Sequence, residues 1–170
     1  MKRLMIMLLC VSVMVLSAGC GAEAAEPEQA QGNASGMMVA NPWSNWNSLA
    51  EAEAATGFPF GLPETVDGYT ADVFRTMSGT LLEIRYHSGE SEICIRKQQG
   101  EGQDISGDYN VYAKSEESQQ NGGTITVDSN EAGEVVRQLI SFKGYSWSVV
   151  ATDGIPAEVA QEFLNLILGL

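Results

Sequence analysis

From Tyr69 onward, apolar and polar residues alternate, and short glycine-bearing breaks punctuate the alternation. Side chains of a strand point to opposite faces in turn, so 69–77, 80–87 and 92–98 read as three strands. In the second, Leu82, Ile84 and Tyr86 share one face while Glu83, Arg85 and His87 share the other. That pattern predicts a sheet with one buried and one wet face. Ser78-Gly79 and Ser88-Gly89-Glu90 are short hairpin connections. Residues 109–114 read as a return to the sheet, and Gly122-Gly123 marks a turn before a strand at 124–127. Another hairpin is predicted from 135–142 through Lys143-Gly144 to 145–152.

Helical patterns flank this region. Ser48-Leu49-Ala50-Glu51 has the form of a capping box, in which Ser48 bonds the amide three residues on and Glu51 reaches back. Helix formers continue to Ala55, and Gly57 stops the helix. In Phe58-Pro59-Phe60-Gly61-Leu62-Pro63, residues before a proline avoid the α region, so the segment is an extended connector. After Ile155-Pro156, Val159, Phe163, Leu164, Ile167 and Leu168 recur at helical spacing and form one apolar face. The expectation is an α+β domain: an antiparallel sheet of about five to seven strands, with an N-terminal and a C-terminal helix packed on one face.

The first forty residues follow another pattern. Lys2 and Arg3 precede an uncharged run from 4 to 19, rich in Leu, Met, Val and Ile. The run is shorter than the roughly 20 apolar residues a spanning helix needs and reads as an export signal. Its end, Leu16-Ser17-Ala18-Gly19-Cys20, resembles the lipobox of bacterial lipoproteins, with Leu16 one place further from the cysteine than in the commonest pattern. The resemblance implies a diacylglyceryl lipid on the Cys20 thiol, cleavage before Cys20, and in some lipoproteins a further N-acyl chain. Two acyl chains anchor stably where one does not. An ordinary signal peptide cut after Ala18 or Gly19, or an uncleaved anchor, would fit the same residues. Residues 21–36 carry no aromatic or large aliphatic side chain and are expected to form a flexible tether. The predicted organisation is signal peptide 1–19, lipidated Cys20 and tether 20–40, and one domain 41–170.

Cleavage would remove Cys10, and lipid would occupy Cys20, leaving Cys94 as a lone thiol with no disulfide partner. It would also remove Lys2 and Arg3, leaving seven basic against 22 acidic residues, a net charge of −15. Such a chain repels phosphate backbones, so no nucleic-acid partner is expected.

Several stretches together resemble the family called domain of unknown function 4367. They are 52–60 leading into Leu62-Pro63, then Glu92-Ile93-Cys94-Ile95-Arg96-Lys97, then Asp104-Ile105-Ser106-Gly107-Asp108-Tyr109-Asn110, and Tyr145-Ser146-Trp147. The resemblance runs from about Trp43 to the C-terminus. It implies an extracytoplasmic sensing or binding module and supplies no catalytic residues.

Candidate chemistry is sparse. His87, the single histidine, alternates with Arg85 and Glu83, and a triad would need it beside Cys94 or a serine. Asp104, Ser106, Asp108 and Asn110 place oxygens at every second position, as in the first half of a calcium loop. Tyr109 and Ser115 then replace the required Gly and Glu, and a turn bonded to nearby amides is the competing expectation. Trp43 and Trp46 would line a sugar or peptide surface or pin the segment to the core. No catalytic residue, cofactor or metal is assigned. The functional expectation is a non-enzymatic, lipid-anchored binding or sensing domain outside the cytoplasm. Its partners are the membrane and an envelope protein, peptide or wall ligand. A small envelope hydrolase or wall-modifying enzyme and a calcium-dependent envelope module are the alternatives.

Overall fold

A computed structural model describes residues 41–170, so the expectations on the signal, Cys20 and the tether lie outside the described residues. The chain runs β1 (Trp43–Trp46), α1 (Leu49–Thr56), β2 (Thr65–Val66), β3 (Tyr69–Met77), β4 (Leu81–Ser88), β5 (Ser91–Gln99), β6 (Lys114–Gln120), β7 (Gly123–Ser129), β8 (Val135–Phe142), β9 (Tyr145–Ile155) and α2 (Ala157–Leu168). Tight hairpins join most neighbouring strands. Asn121-Gly122 and Lys143-Gly144 both hold positive φ at their two central residues, the backbone whose twist suits adjoining strands.

The hairpins form two antiparallel meanders. One is β3-β4-β5 with β1 on its outer edge and β2 beside β3; the other is β6-β7-β8-β9. They meet where β9 pairs with β5, giving the order β1-β3-β4-β5-β9-β8-β7-β6. Residues 100–113 bridge the meanders as an irregular strap.

One sheet face carries the apolar alternation. Leu82, Ile84 and Tyr86 of β4, Ile93 and Ile95 of β5, Ile140 of β8 and Trp147 and Val149 of β9 belong to one buried cluster. Ala52 of α1 and Ala160, Phe163, Leu164, Ile167 and Leu168 of α2 belong to the same cluster. Phe163 meets Tyr86 edge-on at 5.3 Å and Tyr69 at 6.4 Å, geometries that suit aromatic quadrupoles. The Ser48 half of the α1 cap forms as its sequence implies, Ser48 Oγ accepting from Glu51 N at 3.3 Å, while Glu51 reaches one residue further back and its Oε2 accepts from Asn47 N at 2.9 Å. Gly57 ends the helix at φ 78.

Three expectations change. The described residues hold nine strands rather than about five to seven, because β1, β2 and β6 add to the sheet. β6, Lys-Ser-Glu-Glu-Ser-Gln-Gln, is exposed along its whole length and has no apolar alternation. It is a strand because the Asn121-Gly122 turn folds it onto β7 in register. Residues 109–113 belong to the strap and not to a strand. The face opposite the core is also not simply wet: the Glu83 side chain is 0% exposed. The strap is fastened to that face through Arg96.

Candidate functional site

β5 determines most of the candidate chemistry. Its alternation sends Ile93, Ile95 and then Lys97 to the apolar face, and Cys94 and Arg96 to the other. Lys97 therefore occupies a place where the pattern calls for a hydrophobe, and it is only 6% exposed. The connector before β2 makes this tolerable. Lys97 Nζ donates to the carbonyls of Pro59 at 2.5 Å and Phe60 at 3.2 Å. It also lies 4.3 Å from the Tyr145 ring centroid and 4.5 Å from that of Trp147, within cation–π range. Burial pushes the ammonium down to about 8, against a smaller upward pull from the Glu53 charge. One Glu53 oxygen is itself engaged, accepting from Phe60 N at 2.7 Å.

A cleft of about 220 Å³ opens above Lys97, between the β8–β9 hairpin and the end of α2. Its walls include Phe142, Tyr145, Trp147, Leu166 and Ile167, and Lys143 joins Lys97 in the lining. Among the described residues neither lysine pairs with a carboxylate, whereas Arg75, Arg85, Arg96 and Arg137 all do.

The opposite face is a closed polar network. Glu83 Oε1 accepts from Arg75 Nε at 2.6 Å and Arg85 Nε at 2.9 Å, and Oε2 accepts from Arg96 Nε at 2.8 Å. Burial pushes the Glu83 carboxyl up, but hydrogen bonds from Arg85 and Arg96 and the charges of Arg96 and Arg75 outweigh it and hold it below its usual range. The Trp43 ring stacks on Arg75 at 4.3 Å, while Trp46 Nε1 donates to Thr76 Oγ1 at 3.0 Å. Both tryptophans thus pin β1 to its neighbours. Arg96 Nη1 reaches the strap, donating to the carbonyls of Ile105 at 3.0 Å and Ser106 at 2.6 Å.

His87 lies at the margin of this face. A bulge in β3 turns Asp72 toward it, and the two imidazole nitrogens meet Asp72 Oδ1 at 2.6 Å and Glu92 Oε2 at 3.0 Å. Partial burial acts to lower its pKa, but the two carboxylates outweigh that and raise it. Its hydrogen-bond partners are these carboxylates and not Cys94 or a serine. Burial pushes the Cys94 thiol up to about 12, with the Glu83 charge adding to the rise, which makes a poor nucleophile.

No family model, curated protein or solved structure matches this chain.

The strap brings Asp104, Ser106, Asp108 and Asn110 together, but their oxygens are engaged by nearby strap groups and by Arg137 of β8. Asp104 Oδ1 accepts from Ser106 N at 2.9 Å, Ser106 Oγ from Asp108 N at 3.1 Å, and Asp108 Oδ1 from Asn110 N at 3.0 Å. Tyr112 donates to Asp108 Oδ2, and Arg137 donates to the Asp108 carbonyl at 2.8 Å. These are successive side-chain-to-amide turns. Among the described residues no group of three or more His, Cys, Asp or Glu converges in a way that could hold a metal ion. Neither Lys97 nor Glu83 stands out in the sequence. The signal for Lys97 was a lysine in phase with Ile93 and Ile95, legible only once the apolar face of β5 is fixed.

Proposed function

We propose that this chain is a lipid-anchored binding or sensing domain, non-enzymatic, held on the outer side of a bacterial cytoplasmic membrane. Cys20 would carry the diacylglyceryl anchor, and residues 21–36 would serve as its tether. With both helices on one face of the sheet, the end of α2 forms a rim against the β8–β9 hairpin. The observation that carries the reading is the cleft at this rim, which joins apolar walls to a buried ammonium at Lys97. A concave, mostly apolar pocket with a few polar groups is the ordinary form of a small-molecule site. The order of motifs resembling domain of unknown function 4367 agrees with an extracytoplasmic module.

Two measurements test it. Labelled palmitate should enter the wild-type chain and not Cys20→Ala; a wild-type chain that takes up no label, or a variant that takes up as much, would sink the anchor. For binding, the full chain is screened by thermal shift against soluble envelope metabolites. A true ligand raises the melting temperature of wild type but not of Leu166→Trp, which fills the cleft. Chemical conversion of a bound compound would replace the binding reading with an enzymatic one.

A further inference from the structure

We propose that the cleft over Lys97 takes a small monocarboxylate with an apolar body near the size of a benzene ring, its carboxylate met by the ammonium groups of Lys97 and Lys143. This rests on the binding reading and names the ligand class for that site. The first argument is charge. The chain has 22 acidic and nine basic residues, yet the charged side chains lining this cleft are two lysines. Four arginines of the domain are matched to carboxylates, while these two cations make no ion pair among the described residues. Lys97 uses two of its three N–H groups on Pro59 and Phe60, which leaves one donor for a ligand.

The second argument is the end of α2. A helix C-terminus carries negative partial charge and would repel an anion if left open. Here three of the last four carbonyls are bonded: Leu170 N donates to the Asn165 carbonyl, Gly169 N to that of Leu166, and Asn121 Nδ2 to that of Leu168. The helix end therefore opposes an anion less than an open terminus would, and the charged side chains in the lining are both cationic. The third argument is shape. An apolar cavity of about 150 Å³ accepts benzene, so 220 Å³ has space for a ring and a short acid arm. A bare inorganic anion would leave Phe142, Leu166 and Ile167 unused, and an amine would face two ammonium groups.

The test uses the full chain carrying Cys20→Ala, with Trp147 fluorescence and calorimetry as readouts. The probes are 3-phenylpropionate, 3-phenylpropionamide and 3-phenylpropylamine, which share a body and differ in head group. The acid should bind at least about ten-fold tighter than the amide, and the amine least. Lys143 sits in a turn at φ 49, a conformation asparagine tolerates, so Lys143→Asn should keep the fold. That variant should weaken the acid several-fold and leave the amide unchanged, and Lys97→Met should abolish the preference for the acid. Equal binding of acid and amide, or preference for the amine, overturns the ligand class and leaves the binding reading intact. Failure of all three probes to bind at about 10 mM overturns both the class and the use of this cleft as a binding site.

Discussion

Glu83 is the residue on which the polar face depends. Replacing it with Gln keeps the shape and removes the buried charge that Arg75, Arg85 and Arg96 share, leaving Arg75 and Arg96, both half-buried, without a carboxylate while Arg85 keeps Glu92. Breaking a buried ion pair in this way costs about 3–5 kcal/mol, so Glu83→Gln should lower the urea midpoint with little change in slope. Lys97 makes the opposite kind of statement. Its folded pKa of about 8 lies below the ordinary 10.5, so between these values the unfolded chain binds more protons. The contribution of Lys97 to stability therefore rises with pH across that window, by at most about 3 kcal/mol. Cys94 and Tyr86, both pushed up by burial, act oppositely at high pH. Subtracting the stability curve of Lys97→Met from that of wild type cancels both, and the difference should climb from pH 8 to 10.5. A flat difference would mean that the ammonium is not desolvated. Neither residue was legible alone, because a charge in a strand reveals its burial only when its face is known.

At the scale of elements, the strap is held more by its bonds than by its packing. Tyr109 and Val111 are 96% and 98% exposed, while Arg96, Arg137 and Ser146 fasten the backbone around them. Gly107 allows the closest approach: its φ is +66, and a Cβ there would collide with the Arg96 guanidinium. Gly107→Ala should therefore lift the strap from Arg96. Hydrogen exchange should speed up at 104–110 while the amides of β4 and β5 keep their protection, since local opening need not follow global unfolding. Uniform loss of protection would show that strap and sheet unfold together. The hairpins, the capped α1 and the amphipathic α2 were readable because their signals are local: a Gly-bearing turn, a Ser-x-x-Glu, an apolar stripe. β1 and β6 were not, since a polar edge strand owes its conformation to a partner's hydrogen bonds and not to its own pattern.

For the whole molecule, α2 spans both meanders. Phe163 meets Tyr69 and Tyr86 on one meander, while α2 also contacts β8 on the other. Phe163→Ala should cost about 3–5 kcal/mol and leave one cooperative transition. Two separated transitions would show that the meanders fold as independent units. The order of helix, antiparallel strands and helix follows from the sequence alone, and so does the position of most turns. Those features are set by periodicity and by the few residues that tolerate unusual backbone angles. Tertiary structure alone decided that β9 closes against β5, that Arg96 ties the strap to Glu83, and that Lys97 lies beneath Tyr145 and Trp147. Each joins residues far apart in the chain, and such pairing is governed by which apolar faces can be buried together, which no local pattern records.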